Sequence, residues 1–97
     1  MKLAIKTCTL GMPYTEMLDF CLAQGVGTVE IGTGNWSSAP HIDLDEVLSS
    51  ETARARWMDE LRRRGIELCA VNCSGNPLAY ERDMAVTEKT FRLAEKL

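Results

Sequence analysis

At 97 residues the chain has room for one small domain with a thin core. Hydrophobic residues at 45% and charged residues at 26% are an ordinary globular mix, which sets disorder and membrane spanning aside. The formal net charge is −3, and no basic cluster rises above Arg62, Arg63 and Arg64, so nucleic acid is not expected as the main partner. Those arginines read as a solvated helix end, where cations suit the macrodipole.

Residues 1–8 carry Lys2 and then an apolar run, soon interrupted by Lys6, that is too short for a secretory signal, so a cytoplasmic location is expected, with no membrane partner. Cys8, Cys21, Cys69 and Cys73 then read as free thiols. Cys69 and Cys73 lie four apart with no histidine nearby to complete a zinc set, so packing is their expected role. Residues 3–7 suit a first strand, ending near Cys8 before the breaker Gly11, Met12, Pro13. Thr15 stands where a helix cap belongs, and Met17, Leu18, Cys21 and Leu22 recur at helical spacing until Gly25.

Residues 28–31 read as a second strand running into a long polar loop, Gly32 to Pro40. The only histidine, His41, follows and is expected to be a surface or capping-region residue rather than a general base. Asp43 can cap a short turn through Val47. Ser50 can cap a helix over 51–64 with Trp57, Met58 and Leu61 as its apolar stripe, ended by Gly65. The third strand is the apolar run Ile66, Leu68, Cys69, Ala70, Val71, which gives way to Asn72, Cys73, Ser74, Gly75, Asn76 and Pro77. A last helix over 81–97 places Met84, Phe91 and Ala94 on one side, with Leu93 and Leu97 beside them.

The order β-α-β-α-β-α predicts an α/β fold with three parallel strands joined by right-handed crossovers. Such a sheet has two open edges, so either more chain follows Leu97 or copies of the chain assemble as a homo-oligomer. In a parallel α/β protein, chemistry gathers in the loops at the carboxyl ends of the strands. If the sheet curves into a barrel with Leu3, Ile5, Val29, Ile31, Cys69 and Val71 outward against helices, then Lys6, Glu30 and Asn72 face inward. A buried Glu30 opposite Lys6 favours both charged forms and could hold a hydroxyl or shuttle a proton beside a sugar carbonyl; the alternative is a structural ion pair. Trp36 either stacks on a sugar ring or covers the barrel mouth. The run from Gly32 to Ser37 is a near miss to the dinucleotide fingerprint, but Ser38, Ala39 and Pro40 separate it from any helix, so no dinucleotide is expected. The N-x-S sequons at Asn35 and Asn72 carry no meaning in a cytoplasmic chain.

Two segments, Val29 to Ser38 with Pro40 and His41, and Asn72 to Leu78, together resemble the sugar phosphate isomerase/epimerase family. The resemblance covers the whole chain and implies the first three units of a xylose isomerase-like (β/α)8 TIM barrel. It implies an enzyme that uses a divalent metal (Mn, Mg or Zn) to move a proton between carbons of a small sugar or polyol through an enediolate. The family's metal ligands lie on later strands, so none is assigned here. Glu30 is the candidate catalytic residue, and Lys6, Asn35, Trp36, Asn72, Ser74 and Asn76 are the candidate substrate-side residues. Relatives often carry a histidine in the third loop, where this chain has Ser74 and then Ala79 and Tyr80. By itself the chain is expected to be inactive, since a barrel takes about 250 residues. Two alternatives remain: a non-catalytic barrel fragment or self-associating module, and a small redox protein using Cys69 and Cys73.

Overall fold

Val29 and Ile31 are fully buried while Glu30 between them is not, the period-two signature of a strand with one face covered. A computed structural model describes all of residues 1–97. The chain runs β1 (Ile5–Lys6), a 3-10 turn (Thr7–Thr9), α1 (Tyr14–Ala23), β2 (Thr28–Gly34), α2 (Leu44–Ser49), α3 (Glu51–Arg63), β3 (Glu67–Cys73) and α4 (Glu81–Lys96). The strands form one sheet in the order β1-β2-β3, and both pairings are parallel. This is the α/β architecture of parallel β-α repeats expected from the sequence. No helix is long and apolar enough to cross a membrane.

One face of the sheet carries the core. Met17, Leu18 and Cys21 of α1, Trp57 and Leu61 of α3, and Leu93 of α4 close over Val29 and Ile31. Two helix starts follow the expected chemistry: Asp43 accepts from the Glu46 amide at 3.0 Å and Ser50 from the Ala53 amide at 3.1 Å. Each such cap is worth about 1 kcal/mol. The start of α1 differs. Pro13, not Thr15, takes the cap position, because Tyr14 is drawn onto α3: its ring stacks on Trp57 at 5.4 Å and its hydroxyl donates to the Trp57 carbonyl.

Other departures have equally local causes. β1 is only two residues long, because Thr7 turns inward and begins the 3-10 turn that Leu10 closes through its amide. β2 continues past Ile31 to Gly34, so Gly32, Thr33 and Gly34 belong to the strand and not to the loop, held by pairing with Asn72 and Cys73 of β3. Glycine suits position 32, since a Cβ would meet that of Cys8 at 3.0 Å and push it aside by a few tenths of an ångström. In β3 the register slips between Val29 and Glu30, leaving Cys69 as the extra residue of a bulge. Leu68 therefore packs on the core, and Cys69 is exposed instead of facing the helices.

On α4 the expected apolar stripe is not the buried one. Phe91 is 73% exposed and Met84 is also exposed, while Asp83, Thr90 and Leu93 are buried. The spacing is still helical, but two of the three anchors are polar and each finds a partner: Thr90 meets the Thr33 hydroxyl at 2.9 Å, and Asp83 meets the third loop. The arginine run is likewise more than a solvated end. Arg62 and Arg63 are exposed, but the half-sequestered Arg64 joins α1 to α3, donating to Asp19 at 2.7 Å and Glu60 at 2.6 Å. Those contacts lower the carboxyl pKa of both acids, chiefly through the Arg64 hydrogen bond.

Candidate functional site

The uncovered face of the sheet brings together the three inward-parity residues. Parallel register sets Lys6 opposite Glu30, and Asn72 opposite Gly32 two residues farther along β2. The expected buried ion pair does not form: Glu30 is half-buried, Lys6 is exposed, and the ion pairs of the chain lie elsewhere. The reason is the open face. With water available to both charges, no desolvation forces them together, and an exposed pair gains little. The Asn72 carbonyl accepts from Thr33 at 3.2 Å, whereas its side-chain amide, like the Glu30 carboxylate and the Lys6 ammonium, takes no partner within the chain.

The loops around this face are tied to one another. Ser74 donates to the Gly34 carbonyl at 3.1 Å and accepts from the Ser37 amide at 2.7 Å. Asn35 sits at φ 70°, a left-handed conformation that asparagine tolerates better than most side chains, and its side chain donates to the Asp83 carbonyl at 3.2 Å. The Asn76 side chain accepts from the Leu78 amide at 3.2 Å. Asn35, Ser74 and Asn76 thus have polar atoms engaged in fixing the loops. Trp36 is 63% exposed, and its ring meets that of Tyr80 edge to face at 6.4 Å.

Asp83 holds the third loop in place and was not legible in the sequence. It is 1% exposed, and its carboxylate accepts from the Asn76 amide at 2.9 Å. Gly75 makes room for it. With φ at +102° and a would-be Cβ only 2.7 Å from the Asp83 carboxylate, any side chain there is strained and must displace that carboxylate. An acid in the first turn of a helix is commonplace, so nothing local marks this one; the only hint is a glycine a few residues upstream.

His41 corrects a second expectation. It is 2% exposed, far from a surface residue. Nδ1 lies 3.0 Å from the Thr7 hydroxyl, Nε2 lies 3.0 Å from the Met12 carbonyl, and the His41 carbonyl accepts from the Trp57 indole. One residue therefore ties the first loop, through its ring, to α3, through its carbonyl. Burial lowers the imidazole pKa, outweighing the Met12 and Leu10 carbonyls, which favour the charged form. Burial likewise raises the Tyr14 phenol far above its ordinary value.

All four cysteines are free thiols. No three His, Cys, Asp or Glu side chains stand close enough to share a metal ion.

Parallel β-α repeats with a three-stranded sheet in the order β1-β2-β3 define a parallel α/β protein. Among known proteins, an uncharacterized protein of Bacillus subtilis (strain 168), YfiH, is 45% identical over 101 residues, a match covering 97% of this chain and 32% of that protein. The chain thus spans about a third of the length of the relative it matches. No family model matches the chain, and no solved structure matches it.

Proposed function

We propose that the chain forms the first three β-α units of a sugar isomerase/epimerase barrel and supplies part of its substrate mouth. One observation supports this most: Lys6, Glu30 and Asn72, from three different strands, share the uncovered face and have no side-chain partners in the fold, with Lys6 and Asn72 at the carboxyl ends of β1 and β3 and Glu30 within β2 opposite Lys6. In this reading Glu30 takes a proton from the carbon beside a sugar carbonyl, leaving an enediolate, and returns it to the neighbouring carbon while the hydroxyl proton of the first carbon passes to the former carbonyl oxygen. Lys6 and the Asn72 amide orient the hydroxyls, and Trp36 offers its face to the sugar ring. Asn35, Ser74 and Asn76 act by holding the loops that shape the mouth. The divalent metal implied by the family resemblance finds no ligand set among these residues.

The first test is the intact mass of the protein in its natural source. A mass near three times that of this chain supports the barrel. That protein, given Mn²⁺ or Mg²⁺ in D2O, should place deuterium on a sugar carbon, and Glu30→Gln should slow this by about 100-fold or more. A source protein no larger than this chain, or exchange undiminished in the variant, rejects the reading.

A second reading, self-association, is favoured by the unpaired outer edges of β1 and β3 together with exposed Leu3 and Phe91. It predicts a size that grows with concentration.

A further inference from the structure

The hydroxyl of Thr7 has one proton and two places to put it. It lies 3.0 Å from Nδ1 of His41 and 3.3 Å from the Glu30 carbonyl. The far side of the imidazole settles part of the bonding: Nε2 lies 3.0 Å from the Met12 carbonyl, with the Leu10 carbonyl a further acceptor beside the ring, and since a carbonyl only accepts, Nε2 carries a hydrogen in either charge state. A neutral ring then has a bare Nδ1, whose lone pair accepts from Thr7, and the Glu30 carbonyl receives nothing from that hydroxyl. Adding a proton to Nδ1 turns it into a donor. The Thr7 oxygen accepts it, and the hydroxyl proton is released toward Glu30.

We propose that Thr7 and His41 form a two-position hydrogen-bond switch at the carboxyl ends of β1 and β2. Protonation of the ring redirects the Thr7 hydroxyl from Nδ1 to the Glu30 carbonyl. Both positions leave the ring nitrogens and the hydroxyl proton paired, so the imidazole takes up its proton without opening the fold. An ordinary buried histidine, lacking an acceptor for its second N–H, cannot do this. Thr7 is itself fully buried, which keeps water from substituting for either partner.

The charged surroundings are mixed. Asp43 and Glu46 from the α2 side and Arg56 from α3 line one cavity of about 480 Å³ with His41, together with Tyr14 of α1, whose hydroxyl is already committed to the Trp57 carbonyl. Lys6 and Cys8 flank Thr7 in the chain, and the Glu30 side chain lies on the uncovered face of the sheet. Burial of the ring places the switching pH on the acid side of the ordinary imidazole value. The switch is independent of the reaction proposed above, although the peptide it acts on is that of Glu30.

The experiment is an NMR titration of the 97-residue chain, in which a single histidine makes the ring signals unambiguous. At neutral pH the ring nitrogens should report the Nε2–H tautomer. On acidification the Glu30 carbonyl carbon and the Ile31 amide nitrogen should shift with the same midpoint as His41, while amide dispersion is retained. Thr7→Val should lose the Glu30 response and lower the His41 midpoint, and Thr7→Ser should restore both. An Nδ1–H tautomer at neutral pH, a Glu30 carbonyl that does not move at the His41 midpoint, or unfolding at that midpoint overturns the proposal. Should Thr7→Val fail to fold, the wild-type titration alone decides.

Discussion

The two faces of the sheet treat polar groups in opposite ways. On the helix-covered face every buried polar side-chain atom has a partner: Thr7 with His41, Thr33 with Thr90, Asp83 with the third loop. On the other face Lys6, Glu30 and the Asn72 amide have none. The covered face has its buried polar groups engaged within the fold, whereas the open one carries donors and acceptors with no partner in the chain. A polar residue near a strand end is therefore not by itself a site residue; what distinguishes the candidates is that the fold does not need them.

Adjacent residues of β2 give the largest contrast. Ile31 is fully buried and Glu30 beside it is not. Ile31→Ala should cost about 3 kcal/mol by opening a cavity in the core, while Glu30→Ala should stay within about 0.5 kcal/mol. Urea midpoints of the two variants, read at equal m-value, measure the difference. Comparable losses would break the distinction between the faces.

Next in size is the clamp on the third loop. Asp83→Ala strands the Asn76 amide and should cost about 2 kcal/mol. Gly75→Ala should cost a similar amount through its positive φ and its collision with the Asp83 carboxylate. Since the two share one contact, the double variant should lose less than the two singles together, and a thermodynamic cycle would read the coupling. Strict additivity would mean that the clamp is not one unit.

A smaller effect concerns pH. The unfolded imidazole binds its proton near pH 6.5, and the folded one only at lower pH because His41 is buried. Between those values the unfolded state holds more protons, so stability should fall as pH is lowered from about 7.5 to about 5.5, above the range where carboxylates titrate. His41→Gln should flatten that slope when unfolding is followed in urea at both pH values. The smallest effect is expected at Lys6, where Lys6→Ala should leave stability unchanged within about 0.5 kcal/mol by the same measurement.

Much of the fold was legible because it depends on neighbours in sequence. The caps at Asp43 and Ser50, the strand parity at Val29 and Ile31, and the β-α order all follow from spacing over a few residues. What was not legible depends on partners far along the chain. Gly32, Thr33 and Gly34 have a loop's composition, and only pairing with β3 makes them strand. The bulge at Cys69 shifts the parity within β3, so that Leu68 before it packs on the core and Cys69 does not, while Val71 and Asn72 beyond it keep the register expected of them, opposite Ile31 and Gly32. On α4 the hydrophobic pattern favoured Phe91 over Thr90, because a helical wheel cannot see that Thr33 waits for the hydroxyl. The same limit applied at the site. Period-two spacing placed Lys6 and Glu30 on one face, but whether Asn35, Ser74 and Asn76 are free or engaged is decided by loops that come together only in space.

The tryptophans divide along the same line. Trp57 is buried against Tyr14 with its indole bonded to the His41 carbonyl, and Trp36 stands in solvent at the strand ends. Their emission should differ in colour, blue from the first and red from the second, and an aqueous quencher such as iodide should reach only Trp36. One fluorescence spectrum thus carries two reporters: a denaturant shifts the blue component, while a molecule settling on the loops dims the red one and leaves the blue unchanged.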